Sequence, residues 1–302
     1  MPERRTGHHL GHNGRMDGHT LIDLHTHSNV SDGTDTPAQL VAAAASRRLG
    51  VIGLCDHDTM AGVPPAKETG RQLGVFVLRG VEISAVLHRV TVHLLGYGCD
   101  PDNEALREAL DDVRAGRTRR LDQMIAALQS AGLPIGRDEV LAQVGPNGTI
   151  GRPHVADALV AAGIVANRRQ AFDTWLGEGC PGYVPHRRIE LANGIKLVQE
   201  AGGAAVLAHA WGRSARAVLG STVIEGLAQQ DGLDGLEVDH NDHDEPDRSA
   251  LRALAQRAGL IITGSSDYHG TGKIGHDLAC NTTDPQQYRA IVELVEARGG
   301  RP

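Results

Sequence analysis

Residues 21–33 read LIDLHTHSNVSDG, and the reading of the whole chain turns on them. Leu21, Ile22 and Leu24 around Asp23 predict a short buried strand. It runs straight into His25-Thr26-His27, and a turn follows at Asp32-Gly33. Side chains two apart on an extended chain point the same way. His25 and His27 therefore offer two imidazoles to one ion, and the turn brings the Asp32 carboxylate beside them. A strand that ends this way predicts a metal site begun at its C-terminal end.

The same grammar recurs downstream. Thr36-Pro37 reads as an N-cap with proline at the first helical position, opening a helix over 37–49 that Gly50 stops. A strand over 51–55 runs into Asp56-His57-Asp58-Thr59. A helix over 63–73 ends at Gly74, and a strand over 75–78 leads into Gly80-Val81-Glu82-Ile83-Ser84. The strand over 91–95 has His93 in its middle. From 103 to 179 the spacing predicts helices only (103–131, 152–162, 167–176), with Arg114, Arg117, Arg119 and Arg120 along the first. We expect this to be an inserted helical subdomain, bounded by Gly/Pro-rich 97–101 and 177–185. Alternation resumes with helix 191–201, strand 204–208 ending at His209, helix 216–230 and strand 233–238 ending at Asp239-His240. Helix 245–258, strand 260–263, Gly264-Ser265-Ser266-Asp267-Tyr268-His269 and a helix over 284–297 complete it.

Seven β units, mostly followed by helices, predict a parallel α/β architecture. His25/His27, His57, Glu82, His209 and Asp267/His269 each fall just past a different strand, and His93 lies within one. A barrel converges such ends on one face, whereas an open sheet would string them along an edge. The expected organisation is a leader over 1–20, a TIM-like barrel over 21–102 and 180–302, and the insert over 103–179 capping the site.

Nine ligands follow: His25, His27, Asp32, His57, Glu82, His93, His209, Asp267 and His269. Nitrogen and oxygen donors without cysteine suit Mn, Zn, Fe or Mg. One tetrahedral ion takes about four ligands, so the set implies two or three divalent ions, with Glu82 able to bridge. Such ions lower the pKa of bound water and clamp both oxygens of a displacement, chemistry that suits phosphate esters. His240 and His243 sit in the acidic run DHNDHDE and read as solvated. No P-loop and no G-x-S-x-G elbow is present.

Composition sets the outer limits. Forty per cent hydrophobic and 22% charged residues in 302 are ordinary for a globular enzyme. Aromatics at 3% give no base-stacking surface, and a net charge of −7 argues against stable binding to duplex nucleic acid. The four cysteines are scattered, which suits a reducing cytoplasm. No signal peptide or membrane span is visible. His8, His9, His12 and His19 lie in the Gly/Arg-rich leader, which reads as disordered, and Met16 is an alternative start.

The segments HTHSNVSDG, LCDHDTMAG, GVEIS, VHLLGY, AVLAHA and GSSDYHG, in this order, resemble the PHP (polymerase and histidinol phosphatase) family. The resemblance implies a distorted (β/α)7 barrel with up to three ions, commonly Mn, Zn or Fe. It implies that His25, His27, Glu82 and Asp267 hold one ion, that Glu82, His93 and His209 hold a second, and that Asp32, His57 and His269 hold the third. Ile150-Gly151-Arg152-Pro153-His154 and Gly182-Tyr183-Val184-Pro185 look like the branch acting on nucleoside 3′,5′-bisphosphates and RNA 5′ ends. Ala210 and Cys55 depart from the usual proline and threonine without removing a ligand, and His186-Arg187-Arg188 is less standard. The expected activity is a phosphohydrolase that takes the 5′-phosphate from a small nucleotide. A cyclic-phosphate phosphodiesterase and a non-catalytic PHP module remain alternatives. Asp267 and His154 are the expected catalytic side chains. Arg152 and His154, at a predicted helix start where backbone N–H groups and the helix dipole favour an anion, are the expected substrate contacts. Oligomeric state is not legible.

Overall fold

The computed structural model describes residues 20–145, 148–185, 188–212 and 215–302. The disorder expected of the leader, and His186-Arg187, lie outside the described residues. β1 (Leu21–Thr26) is followed by α1 (Pro37–Ser46), β2 (Leu49–Leu54), α2 (Val63–Leu73), β3 (Phe76–Leu87) and β4 (Val90–Tyr97). The helical stretch comprises α3 (Glu104–Ser130), α4 (Arg137–Leu141), α5 (Arg152–Ala161) and α6 (Arg168–Ala171), the last continued by a wider turn at Phe172–Leu176. Then come β5 (Ile189–Glu190), α7 (Leu191–Glu200), β6 (Ala204–Leu207), α8 (Ser221–Gly226), β7 (Gly235–Asp239), α9 (Glu245–Ala258), β8 (Ile261–Gly264) and α10 (Pro285–Ala297).

The sheet runs β1-β2-β3-β4-β6-β7-β8, with β5 paired to β3 off this path. Its two edges meet at a parallel bridge between Thr26 and Tyr268, where the His27 N–H donates to the Tyr268 carbonyl at 2.8 Å. The expected ring of strands is thus joined at its last seam by a bridge rather than a full ladder. The parallel expectation needs one correction: β4 is antiparallel to both β3 and β6. His88 and Arg89, both at positive φ, turn the chain straight back after β3. A second correction concerns Glu82. It lies inside β3, because the strand pairs with β2 over its first part and with β4 beyond Gly80. Alternation then sorts the hairpin. Val81, Ile83, Ala85, Val92 and Leu94 join the apolar cluster under α7, leaving Glu82, Ser84 and His93 on the other face.

Helix ends follow local chemistry. Thr36 caps α1 in a reciprocal box with Gln39. α1 ends at Ser46, short of the expected 49, because Arg48 turns left-handed (φ 60°) and Leu49 already pairs with Leu21. The helix expected over 216–230 is broken at Gly220, whose extended backbone (ψ 162°) opens α8 instead. In α3, Leu106, Leu110 and Val113 pack into the apolar cluster under α7, whereas Leu121, Met124 and Leu128 pack with α5 and the 172–176 turn.

Strand contact is closest at Gly53, where a Cβ would stand 2.1 Å from the Leu24 carbonyl oxygen. That neighbour is backbone, so β1 and β2 would have to separate. Gly53→Ala should therefore destabilise the protein by about 1–3 kcal/mol, the usual cost of overpacking, read as a lowered chemical-denaturation midpoint. An unchanged midpoint would mean that the two strands are not held at this distance.

Candidate metal centre

The strand ends and the β3–β4 hairpin bring all nine expected ligands into one cluster, buried except at His57 and His93, which are half-buried. Glu82 stands at its middle: Oε2 lies 2.9 Å from His57 Nδ1, 3.3 Å from His27 Nε2 and 3.4 Å from His25 Nε2. Its Oε1 lies 2.8 Å from His93 Nδ1 and 3.1 Å from His209 Nε2. Asp267 Oδ1 is 3.3 Å from His27 Nε2 and 3.7 Å from His25 Nε2. Asp32 meets His269 Nε2 at 3.2 Å through Oδ1 and His57 Nε2 at 3.7 Å through Oδ2. Three groups of donor atoms close enough to share an ion result: His25/His27/Asp267, His57/Glu82/His93 and His27/Asp32/His57/His269. These groups differ from the expected partition: Glu82 is not in the first, His57 stands with Glu82 and His93 where His209 was expected, His209 falls in none, and His27 and His57 each fall in two.

The donor chemistry fits cations. The Nε2 atoms of His25 and His27 lie 3.0 Å apart. His25 Nδ1 faces Glu237 Oε1 at 3.1 Å, and His269 Nδ1 faces the Asp267 carbonyl at 2.9 Å. In each case the proton belongs on Nδ1, leaving the Nε2 lone pair turned into the cluster, as metal-bound imidazoles require. Asp32 Oδ1 and His57 Nδ1 are buried without a hydrogen bond, although each has an oppositely charged neighbour within 3.2 Å. Lone pairs that converge without pairing mark a place for an ion.

The electrostatics agree. Burial raises the Glu82 pKa, but His57, His93, His25 and the His209 hydrogen bond outweigh it and hold it well below the carboxylate range. Burial likewise opposes the His25 cation, yet Glu82, Glu237 and Asp267 lift its pKa well above the imidazole value. His27 behaves the same way: burial is overcome by its hydrogen bonds to the Asp267 and Glu82 carboxylates, to about 9. His209 and His269 go the other way, to about 4, chiefly through burial.

The sequence reading missed the groups that hold this cluster. Glu237, fully buried in β7, also accepts the His209 backbone N–H at 2.8 Å and the Ser265 hydroxyl. Asp56 accepts the Ser28 N–H and the Ser28 and Ser31 hydroxyls at 2.7–2.8 Å, bracing the loop after β1. Asp58 accepts the Ser84 N–H at 2.7 Å and the Arg117 Nε–H at 2.9 Å. A charged residue inside an apolar run, as in Leu236-Glu237-Val238, was the available signal. The solvated reading of His240 and His243 is corrected: both are buried, and His240 Nε2 lies 3.3 Å from Asp267 Oδ2. Of the acidic residues of that run Asp244 and Glu245 are exposed, while the two imidazoles fold under the turn.

The remaining two expected residues start α5. His154 is buried, and its Nδ1 accepts the Gly151 N–H at 3.0 Å. Burial lowers its pKa, against raising contributions from Asp32 and a hydrogen bond to the Ser31 backbone. Arg152 donates to the Leu176 carbonyl at 3.3 Å and lies over the rings of Phe172 (5.4 Å) and Tyr183 (5.7 Å).

Clustered imidazoles and carboxylates at the strand ends of an α/β sheet are the equipment of metal-dependent hydrolases. Comparison with known proteins narrows the class. Residues 23–134 match the PHP domain model. The chain is 37% identical over 284 residues to a 3′,5′-nucleoside bisphosphate phosphatase of Chromobacterium violaceum, covering 93% of this chain and 98% of that protein. It is 31% identical to the 5′-3′ exoribonuclease Rnm of Escherichia coli, over 82% of this chain and 85% of that one. A crystal structure from Bifidobacterium adolescentis, described as a metal-dependent phosphoesterase, superposes with a TM-score of 0.87 at 40% identity, covering 91% of this chain and 96% of that one. The chain belongs to the PHP family and is a phosphoesterase, a hydrolase of phosphoric esters. No helix among the described residues is long and apolar enough to cross a membrane.

Two outcomes follow. With its pKa at about 9, His27 of the ion-free protein is protonated at neutral pH, so an incoming cation must displace that proton. Manganese binding at pH 7 should release protons, and affinity should rise toward pH 9; calorimetry in buffers of different ionisation heat measures both. Binding that ignores pH would contradict the ligand role of His27. Glu82→Gln, which removes the charge at the centre, should cost at least one bound ion by elemental analysis. Hydrolysis of a generic phosphomonoester should fall more than about 100-fold, with circular dichroism unchanged.

Proposed function

We propose that this protein removes the 5′-phosphate from nucleoside 3′,5′-bisphosphates, with short RNA 5′ ends as related substrates, as a cytoplasmic enzyme using two or three divalent ions, manganese foremost. The observation that carries the reading is a pocket of arginines beside the ligand cluster. Arg117, Arg120, Ile150, Gly151 and Arg152 line a narrow cleft of about 10 Å³ between α3 and α5, which a phosphate enters only as the arginine side chains move apart. Arg120 is buried and donates to the Val184 carbonyl at 2.7 Å, while its buried Nη2 has no hydrogen bond. Burial and the nearby charges of Arg152, Arg117 and Arg188 push its pKa down to about 9. Such an accumulation of cations calls for an anion. Guanidinium groups match phosphate oxygens in a planar fork, and the N-terminus of α5 opens on the same pocket with a dipole of the right sign.

Arg117 links this pocket to the ligand cluster, because it also binds Asp58 and donates to the Ser84 hydroxyl at 2.7 Å. The scissile phosphate lies in the cluster, and the second phosphate of the bisphosphate in the pocket. Divalent ions held by the three ligand groups would polarise the scissile phosphoryl group and lower the pKa of water beside it. The protein's own groups then position and enclose. Arg168 pairs with Asp157 at 2.5 Å and donates to the Asp32 carbonyl at 3.3 Å and the Gly272 carbonyl at 3.2 Å. The Thr149 N–H donates to the Val30 carbonyl at 2.8 Å. These contacts support the helical stretch as a cap that excludes bulk water from the cluster. His154, between the Gly151 N–H and the Ser31 backbone, we assign to holding the cap on the first ligand loop rather than to proton transfer. Asp267 we assign to an ion.

The test compares two substrates. Arg120→Ala should lower kcat/KM by roughly 10-fold or more on a 3′,5′-bisphosphate, the loss expected for a charged hydrogen bond, and barely change it on a 5′-monophosphate. Arg152→Ala should behave alike. Phosphorus NMR should show the 3′-monophosphate as product. Equal losses on both substrates, or release of the 3′-phosphate, would refute the assignment.

A further inference from the structure

A fourth group of potential ligands lies next to the nine: His240, Asp267 and His276 come close enough to share an ion, and all three are buried. The hydrogen bonds around it decide what it is for. The Asp242 backbone N–H donates to His240 Nδ1 at 3.0 Å. A nitrogen that accepts carries no proton, so the ring's single proton sits on Nε2. That N–H faces Asp267 Oδ2 at 3.3 Å. His240 therefore has no lone pair left for a cation on this side. The ammonium of Lys273 meets the same Oδ2, as an ion pair. His276 is tied by Nδ1 to the Ser266 carbonyl at 2.7 Å. The other oxygen of Asp267, Oδ1, faces the imidazoles of His27, His25 and His269 at 3.3, 3.7 and 3.4 Å.

We propose that His240 and Lys273 are positioning residues that fix Asp267 Oδ2, so that Asp267 meets its ion through Oδ1 alone and the His240–Asp267–His276 group is closed to metal. Lysine suits this place. Only three of the 30 basic side chains are lysines (Lys67, Lys196 and Lys273), and an ammonium is a compact point charge that can stand where a small cation would. Asp267 also has a left-handed backbone (φ 52°), a conformation that persists in a non-glycine residue only where its neighbours hold it. A carboxylate free to rotate would bind one ion with both oxygens or drift toward the fourth group. Two donors on Oδ2 prevent both.

The proposal rests on Asp267 as an ion ligand, and the test separates the two. Metal is stripped with a chelator, manganese is titrated back, and affinity and stoichiometry are read by calorimetry. Asp267→Asn should lose one site; if it loses none, the ligand assignment itself falls and this proposal with it. Given that loss, His240→Phe, which keeps the ring and removes the donor, should weaken the same site about 10–100-fold. His240→Gln, whose amide N–H can reach Oδ2, should stay within about threefold of the parent. Lys273→Met, on a partly exposed side chain, should weaken the site like His240→Phe and decides the matter if the buried variant does not fold. Parent-like affinity in both His240→Phe and Lys273→Met would overturn the proposal. So would an additional manganese equivalent in the parent protein that His276→Ala removes.

Discussion

The structure depends on one electrostatic problem: six imidazoles and three carboxylates share a site from which most water is excluded. A charge moved from water into a protein interior costs several kcal/mol unless it is paired well. Here Asp32 and Glu82 are paired with imidazoles, Asp267 with imidazoles and Lys273, and the imidazoles crowd each other, with His25 and His27 nitrogens 3.0 Å apart. The opposing pKa shifts within one cluster, His27 up and His269 down, express that unresolved competition. Cations resolve it, because they let every imidazole be neutral and every carboxylate be paired at once.

Holding such a cluster open between cations requires rigid loops, and the surrounding carboxylates provide them. Asp23, Asp56, Asp58 and Glu237 take no ion in any of the donor groups, yet each ties one strand end to another. Asp23 joins β1 to the loop after β8 through the Ser266 and Ala279 N–H groups, at 3.0 and 2.9 Å. Glu237 joins β7 to His25 of β1 and to the backbone of His209. The backbone is left-handed at Asp58, His209 and Asp267 (φ 55°, 27° and 52°), which costs on the order of 1–3 kcal/mol at each non-glycine residue. Strain of that size persists only where the neighbours over-determine the conformation. These hydrogen bonds are the neighbours that do so.

What the sequence made legible was whatever repeats locally. Apolar runs ending in His or Asp identified the ends of β1, β2, β6 and β8, which with Glu82 and His93 of the β3–β4 hairpin supply all nine cluster residues. The direction of β4 was not legible, because a strand's own residues do not record whether its partner runs with or against it. His93 held a hint: a residue in mid-strand reaches its fellows at the strand ends only if its strand runs back along β3. The arginine pocket was half-legible. Arg117 and Arg120 are three apart and share a helix face, but which face turns inward depends on α5, far along the chain. His240 was misread because local composition, an acidic run, says nothing about what a buried β7 and its neighbours leave room for.

The net charge of −7 looks at odds with an anionic substrate. The distribution of charge removes the conflict. Asp32, Glu82 and Asp267 are the only carboxylates in the three ligand groups, and two divalent ions already outweigh them. In and beside the helical stretch, Arg117, Arg120, Arg152 and Arg188 add positive charge, with Asp58 paired to Arg117 and Glu178 acting on Arg188. The rest of the surface carries the negative excess and faces solvent, where salt screens it within about 8 Å. A small dianion that reaches the rim therefore meets a positive funnel. A long polyanion must also lie along the negative surface, and that repulsion grows with each nucleotide outside the cleft. The same separation of charge sets a small anion apart from the body of a long polyanion.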